Sequence, residues 1–137
     1  IAMCAPNVYV GSICLGANNV QAIKTLIEAE NHNGPSIVIC YCPCIEHGIK
    51  GGMQNSINEE KLAVECGYTL LMRYKDNKLY LDSKEPNFDK YEDFLNNEVR
   101  YNALKIKDNS LAKTLLEIQI NNAKERYNYY NKIKSTD

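Results

Sequence analysis

The sequence predicts an α/β fold in which a parallel βαβ sheet comes first and a long C-terminal helix closes the chain. Residues 7–13 have the length and residue types of a β-strand, and residues 37–42 are a continuous apolar run of strand length. Between them, residues 18–31 carry apolar side chains at helical spacing. A strand, a helix and a strand in this order form a βαβ unit with a right-handed crossover, so both strands should end at the same edge of a parallel sheet.

The helix of this unit has recognisable signals at both ends. Asn18 or Asn19 supplies a side chain suited to the N-cap, and residues 33–35 (Asn-Gly-Pro) stop the helix before the second strand. The predicted apolar face of the helix consists of Ala22, Ile23, Leu26 and Ile27.

The second strand is an unbroken apolar run, which is typical of a strand buried on both faces. Pro43 lacks an amide hydrogen and should end the strand. Cys40 and Cys42 would share one face inside the strand, and we expect both to be buried there. Cys44 follows at the carboxyl end of the strand, which is the end where open α/β sheets bind ligands.

The next segment predicts a loop and then a helix. Residues 48–55 are rich in glycine and indicate a loop or a broken helix. Ser56 and Glu59 match a capping box, in which each side chain bonds the backbone of the other residue at the start of a helix. Gly67 should end this helix, and Cys66 should pack on its buried side.

The second half of the chain predicts two short strands followed by helices. Residues 68–74 and 78–81 have strand character and flank an Asp-Asn turn. Residues 91–101 predict one helix, and residues 108–134 predict the long terminal helix. The apolar stripe of the terminal helix consists of Leu116, Ile120, Ala123, Tyr127 and Tyr130. We expect this stripe to pack on another part of a larger protein, with packing on its own domain as the alternative.

Composition excludes several classes of function. Sixteen Lys and Arg residues balance seventeen Asp and Glu residues, so there is no excess positive charge for binding nucleic acid. No apolar run reaches the roughly 20 residues that a membrane-spanning helix needs, and no signal peptide is visible. Six cysteines without such a signal favour reduced thiols and a cytoplasmic location. Because residue 1 is Ile rather than Met, we expect a piece of a longer protein.

Cys44 is the strongest candidate for a functional residue, although a free cysteine is more often a small side chain in a core. His47 is near it in the sequence, but this proximity alone does not make a Cys–His catalytic pair. The acidic cluster of Asp89, Glu92 and Asp93 is typical of a solvated face rather than of a metal site. No catalytic residue is assigned from the sequence.

A pyrophosphate site is not evident in the βαβ unit. The chain has no Gly-x-x-x-x-Gly-Lys-[Ser/Thr] motif. Its first aspartate is Asp76, so the βαβ unit supplies no aspartate for Mg²⁺. No cofactor-binding residue is therefore assigned to this unit.

A series of short motifs occurs in the order found in one enzyme family. The motifs are Val8-Tyr9-Val10-Gly11-Ser12, Gly34-Pro35-Ser36-Ile37-Val38-Ile39, Pro43-Cys44-Ile45-Glu46-His47-Gly48, Lys50-Gly51-Gly52-Met53, Gly67-Tyr68, Arg73-Tyr74 and Leu81-Asp82-Ser83-Lys84-Glu85-Pro86. The match spans about residues 7 to 130, which is nearly the whole chain. The series resembles pyruvate:ferredoxin (flavodoxin) oxidoreductases.

The resemblance implies that residues 1–137 are the C-terminal half of a thiamine-diphosphate-binding domain in a larger oxidoreductase. In that family the domain holds a [4Fe–4S] cluster beside thiamine diphosphate. Three cysteine ligands of the cluster come from an earlier part of the chain, and the fourth corresponds to Cys44. The groups that hold Mg²⁺ and the pyrophosphate also belong to the earlier part. Glu46 stands where Asn is common, and the loop at residues 74–79 is shorter than in many members.

By the same resemblance, the parent enzyme oxidatively decarboxylates pyruvate with coenzyme A to acetyl-CoA and CO₂. Iron–sulfur clusters pass the electrons to ferredoxin or flavodoxin. The implied partners of this segment are the remainder of the parent oxidoreductase and further copies in a homo-oligomer. Two alternatives stay open, namely an oxidoreductase for another 2-oxo acid and a non-catalytic assembly module. The segment alone is not expected to be active.

Overall fold

The computed structural model describes residues 2–135, and these residues form a four-stranded sheet with five α-helices. The elements are β1 (Tyr9–Ile13), α1 (Asn19–Glu30), β2 (Ser36–Cys40), α2 (Ser56–Glu65), β3 (Met72–Lys75), β4 (Lys78–Leu81), α3 (Tyr91–Asn97), α4 (Val99–Lys107) and α5 (Asn109–Ile133). The predicted α/β class, the βαβ unit and the long terminal helix are confirmed. In the described part of the chain, no helix is both long and apolar enough to cross a membrane.

The sheet is mixed and has the strand order β2-β1-β3-β4. The pair β1 and β2 is parallel, and its register runs from Tyr9 opposite Ser36 to Ile13 opposite Cys40. β3 is antiparallel to both β1 and β4. Both residues of the predicted Asp-Asn turn have positive φ, +52° at Asp76 and +60° at Asn77. Such a two-residue turn matches the twist of the hairpin that it joins.

α1 begins and ends where the sequence predicts. Its N-cap is Asn18, whose side-chain oxygen accepts a hydrogen bond from the Gln21 amide at 2.9 Å. The helix packs on the sheet through its buried residues Gln21, Ala22 and Thr25. A β-carbon at Gly11 would collide with the Thr25 methyl group, so the close approach of α1 to β1 requires glycine at this position.

The predicted apolar face of α1 is mostly exposed, and this part of the prediction is wrong. Only Ala22 is buried, whereas Ile23, Leu26 and Ile27 are each about half exposed. The reason is that the side of α1 that meets the sheet carries the small and polar residues that fit against Gly11. The larger apolar side chains point away from the sheet.

β2 also differs from its prediction. It is an edge strand that ends at Cys40, and Ile37 and Ile39 are exposed. Cys40 and Cys42, which were expected to be buried, are both exposed. The physical reason is that in the described residues β2 has a hydrogen-bonded neighbour on one side only, so an apolar sequence is not enough to bury the strand.

The main apolar cluster lies where α2, α3 and α5 meet. It consists of Ala63, Cys66, Tyr91, Phe94, Leu116 and Ala123. Cys66 therefore packs in the core, as predicted. The stripe of α5 packs on its own domain, which was the alternative in the prediction, because Leu116, Ala123 and Tyr127 are buried within this chain. Asp108 caps the helix by accepting a hydrogen bond from the Leu111 amide at 2.9 Å.

Two helical predictions need correction. The single helix expected at residues 91–101 is two helices, α3 and α4, separated at Glu98, where the backbone is extended (φ −78°, ψ 118°). The capping box is not formed, because Asn55 takes the N-cap position of α2 without a side-chain hydrogen bond. Gly67 follows the C-cap of α2 with φ +80°, which confirms its predicted role.

Candidate functional site

The loop after β2 carries Cys44 at the carboxyl edge of the parallel strand pair. The ladder continues one residue beyond β2, since the Tyr41 amide donates to the Ile13 carbonyl at 3.0 Å. The chain then leaves the sheet, and a turn closes where the Gly48 amide donates to the Cys44 carbonyl at 2.9 Å. The Cys44 thiol is exposed. In the described residues, Cys44 is therefore not packed in a core.

The far end of this loop is anchored to the junction between α3 and α4. The Lys50 amide donates to the Asn97 carbonyl at 2.7 Å, and the Val99 amide donates to the Gly48 carbonyl at 3.4 Å. An antiparallel bridge joins Ile49 to Glu98 between these two bonds. The bridge needs extended backbone at Glu98, which accounts for the break between the two helices. The Cys44 loop is thus held at both of its ends.

Glu59 supports the junction between α3 and α4 through a hydrogen bond with Asn97. Its side chain is 3% exposed, and Oε2 accepts a hydrogen bond from Nδ2 of Asn97 at 2.8 Å. Oε1 is buried without a hydrogen-bond partner among the described residues. Burial raises the pKa of Glu59, and the hydrogen bond from Asn97 opposes this only in part. Glu59 therefore fixes Asn97, and the Asn97 main chain fixes the Cys44 loop at Lys50.

A concavity of about 230 Å³ lies between the loop and an aromatic wall. Cys42, Cys44 and His47 line the loop side. Tyr68 and Phe94 line the other side, with their ring centroids 4.5 Å apart. The concavity therefore combines two exposed thiols with a largely apolar wall.

Glu98 is the acidic group that faces this concavity. Burial raises the pKa of Glu98, and the nearby His47 side chain has the opposite, smaller effect. No hydrogen bond joins His47 to Cys44 in residues 2–135. The structure therefore gives no support for a Cys–His catalytic pair.

The remaining cysteines divide by burial. Cys14 and Cys66 are fully buried, and desolvation raises the pKa of their thiols to about 12 and about 11. In Cys14 the nearby Glu60 carboxylate adds to this effect. Such thiols stay protonated at neutral pH and are poor ligands and nucleophiles. Cys4 is exposed and lies away from the loop, in a short 3₁₀ helix at residues 2–4.

The carboxyl end of β1 forms a second concavity on the same sheet edge, with a volume of about 570 Å³. Leu15, Gly16 and Glu60 line it. The Gly16 amide donates to Oε2 of Glu60 at 2.6 Å, so this main-chain donor at the sheet edge is already bonded within the chain. The expectation that the two strand ends lie at one edge is confirmed by their parallel pairing.

Sequence reasoning identified Cys44 and did not find Glu59, Asn97 or Glu98 as parts of the same site. The sequence predicts a capping role for Glu59 and a place inside a continuous helix for Glu98. Neither of their observed roles has a local sequence signal, because each depends on a segment about 40 to 50 residues distant. Asp89, Glu92 and Asp93 lie on an exposed surface, as predicted. In the described chain no three His, Cys, Asp or Glu side chains gather as a metal site.

Comparison with known proteins gives the same family as the motifs. The chain is 39% identical over 140 aligned residues to a pyruvate-flavodoxin oxidoreductase from Klebsiella pneumoniae, and 41% identical to a pyruvate:ferredoxin oxidoreductase from Moorella thermoacetica. Each alignment covers 97% of this chain and 12% of the relative. The chain is similar to one segment of these oxidoreductases. The resemblance inferred from the motifs is confirmed.

A further relative has NADP(+) in its name. The mitochondrial pyruvate dehydrogenase [NADP(+)] of Euglena gracilis is 36% identical over 97% of this chain, which covers 8% of that protein. No protein-family model matches the chain. From these coverages, the chain spans about an eighth or less of the length of its relatives.

Glu59→Gln is expected to become more stable relative to the wild type as the pH rises from about 4.5, the ordinary carboxyl pKa, towards neutrality. In the folded chain the pKa of Glu59 is raised, so the folded state binds more protons than the unfolded state over this range, and ionisation on raising the pH destabilises it. The substituted glutamine keeps the shape and an oxygen acceptor for Asn97 but does not ionise. Urea unfolding of both proteins at a series of pH values measures the difference.

The matched control is Glu46→Gln, which changes an exposed carboxylate on the Cys44 loop. This variant should keep the pH dependence of the wild type. Glu98 also has a raised pKa, and its negative charge adds to the raised pKa of Glu59, so the difference between wild type and Glu59→Gln includes this coupling. A Glu59→Gln stability difference that is the same at every pH would show that Glu59 is not strongly desolvated.

Proposed function

We propose that the chain is the C-terminal half of the thiamine-diphosphate-binding domain of a pyruvate:ferredoxin or pyruvate:flavodoxin oxidoreductase. The observation that carries the proposal is the similarity over 97% of this chain to proteins of which it covers 12%. The parent polypeptide would supply the substrate site, the thiamine diphosphate, its Mg²⁺ and the other clusters. Within this segment, Cys44 is proposed to ligate one iron of a [4Fe–4S] cluster.

The geometry of the Cys44 loop fits the role of one cluster ligand. A cluster ligand must be a thiolate that the iron can reach, and the Cys44 thiol is exposed. The loop is tied to the α3–α4 junction through Lys50 and Gly48, which would hold the thiolate in a fixed place. One thiol cannot hold a cluster alone, so the other ligands would come from outside the described residues.

The proposed overall reaction converts pyruvate and coenzyme A into acetyl-CoA and CO₂ with release of two electrons and one proton. Thiamine diphosphate supplies the carbanion chemistry, and iron–sulfur clusters carry single electrons to a ferredoxin or a flavodoxin. The contribution of this chain is binding and positioning. The Cys44 thiol loses its proton when it binds iron, and the main-chain amides of residues 45–47 would donate hydrogen bonds that tune the cluster potential.

Two other functions remain as alternatives. A related oxidoreductase could use another 2-oxo acid or another electron acceptor, and the NADP(+) in the name of the Euglena relative favours a different acceptor. A non-catalytic assembly module would have the same fold without a cluster. The parent is proposed to be a cytoplasmic homo-oligomer that binds neither nucleic acid nor membranes.

The test is Cys44→Ser in the full-length oxidoreductase that contains this segment. Serine offers a harder oxygen ligand that binds iron less well, so the variant should lose or convert one [4Fe–4S] cluster. We expect up to four fewer iron atoms per chain, an altered EPR spectrum and at least a tenfold slower reduction of ferredoxin, about 1.4 kcal/mol in barrier height. Iron analysis, EPR and a ferredoxin reduction assay measure these effects.

The matched control is Cys42→Ser, because Cys42 is also exposed and lines the same concavity. This variant should keep its iron content and EPR spectrum. If Cys42→Ser loses the cluster and Cys44→Ser does not, Cys42 rather than Cys44 is the cluster ligand. If both variants keep normal iron content and activity, the loop binds no cluster and the assembly module becomes the better proposal.

A further inference from the structure

The free edge of β2 carries main-chain groups that are prepared for another strand. The Tyr9 amide donates to the Pro35 carbonyl, and the Tyr41 amide donates to the Ile13 carbonyl, each at 3.0 Å. These bonds and the parallel register assign alternate residues of β2 to the β1 side. Because successive residues of a strand point their amides and carbonyls in opposite directions, those of Val38 and Cys40 face away from β1.

The side chains of β2 are those of an interior strand. Ile37 and Ile39 are 44% and 59% exposed on the sheet face opposite to α1, which places large apolar surface in water. Natural edge strands are usually protected by charged residues, proline or a bulge, and Ser36–Cys40 contains none of these. An apolar run on both faces is instead typical of a strand that has neighbours on both sides.

We infer that the β2 edge is the junction at which this segment joins the rest of the parent polypeptide, through a strand that pairs with β2 and covers Ile37 and Ile39. The inference rests on the proposed function. Because the chain spans 12% of its relatives, nearly all of the proposed polypeptide lies outside it and is available to supply that strand.

The position of Cys44 also indicates that the rest of the parent polypeptide covers the β2 edge. The Cys44 loop leaves directly from the carboxyl end of β2, and the remaining ligands of the proposed cluster must reach that loop from outside the chain. A polypeptide segment that brings those ligands to Cys44 is already adjacent to the β2 edge. Strand pairing would fix the distance between the two parts of the ligand set, because the sheet sets neighbouring strands about 4.8 Å apart.

Hydrogen–deuterium exchange on the wild-type full-length oxidoreductase tests the pairing without a mutation. The amides of Ile37 and Ile39 are bonded to β1 and serve as an internal reference. If a strand pairs with the edge, the amides of Val38 and Cys40 should exchange within roughly tenfold of these reference amides. The inference is overturned if the Val38 and Cys40 amides exchange on the order of 100-fold faster or more, as on an open edge.

Two variants and a cross-link test which polypeptide covers the β2 edge. In the full-length protein Ile39→Lys should lower the midpoint of thermal unfolding, whereas Ile106→Lys should not, because Ile106 is 89% exposed on α4, away from this edge. Equal midpoints for the two variants would contradict a covered Ile39. A photoreactive phenylalanine analogue at position 39 should cross-link within the same polypeptide. Cross-links between the β2 strands of two copies would overturn the inference in favour of a self-association surface.

Failure of this inference can be told apart from failure of the proposed function. An intact, Cys44-dependent iron content together with rapid exchange at Val38 and Cys40 would reject the junction and keep the proposed function. Slow exchange and an intramolecular cross-link in a protein whose iron content does not depend on Cys44 would keep the junction and reject the cluster ligand.

Discussion

Arg73→Ala is expected to destabilise the chain by about 3–5 kcal/mol, the usual cost of removing one partner from a buried ion pair. The Arg73 side chain is 8% exposed and bonds two carboxylates, Glu28 at 2.9 Å and Asp82 at 2.8 Å. Without the guanidinium, Asp82 loses its cationic partner, and Lys75 remains as the cationic partner of Glu28. The free energy of unfolding from urea denaturation measures the effect.

The loss is expected to be large because Arg73 joins several elements. It lies on β3, Glu28 lies on α1, and Asp82 follows β4. Glu28 also accepts a hydrogen bond from the Tyr9 hydroxyl at 3.0 Å, and Asp82 accepts one from Nε2 of Gln21 at 2.9 Å. Removing one cation therefore weakens the contact between α1 and three strands of the sheet.

The matched control is Lys90→Ala, which breaks an ion pair with Glu65 in which both side chains are about half exposed. Exposed ion pairs contribute little to stability, so this variant should remain close to the wild type. An Arg73→Ala variant that costs no more than Lys90→Ala would contradict the importance of the network.

The cost of Arg73→Ala should also decrease in acid. Desolvation raises the pKa of Glu28, but hydrogen bonds from Lys75, Arg73 and Tyr9 outweigh it, so the net pKa is below the ordinary 4.5. A depressed carboxyl pKa contributes stability that is present above the unfolded-state pKa and is lost as the pH falls through the folded-state pKa. The difference between wild type and variant should therefore shrink below about pH 4.5.

Phe94→Ala is expected to cost about 3–5 kcal/mol, the usual range for removing a buried aromatic ring. Phe94 is 1% exposed and belongs to the cluster between α2, α3 and α5. Its ring packs against that of Tyr68, with a 41° angle between the ring planes, at the wall of the concavity that faces Cys44. Denaturant unfolding measures the stability, and the iron content of the full-length protein reports whether the Cys44 loop is disturbed as well.

Phe94→Leu is the matched variant, because leucine fills most of the same volume. It should cost clearly less than the alanine variant, since the residual cavity is smaller. If leucine and alanine cost the same, the contact between the two aromatic rings rather than the filled volume holds this wall in place. If neither variant costs more than about 1 kcal/mol, Phe94 is not in a packed core.

The sequence by itself determined the elements whose signals are local. Asn18 caps α1 because its side chain reaches an amide three residues later, and Asp76 and Asn77 form the hairpin turn because these residues tolerate positive φ. The order of strand, helix and strand in the βαβ unit is also predicted from local patterns. The same holds for the position of Cys44, because Pro43 directly before it should end the strand. The family resemblance rests on such short motifs, and it singled out Cys44, which the strand pattern and Pro43 place at the carboxyl edge of the sheet.

Only the tertiary structure decided which surfaces are buried and which distant groups meet. Hydrophobicity predicted that Ile37 and Ile39 are interior, but burial requires a neighbour, and the described chain places β2 at an edge. Glu59 fitted a local capping pattern, yet its carboxylate bonds Asn97, 38 residues away in the sequence. A local pattern does not encode such a contact, because the free energy of the contact depends on packing that forms only when α2, α3 and the Cys44 loop come together.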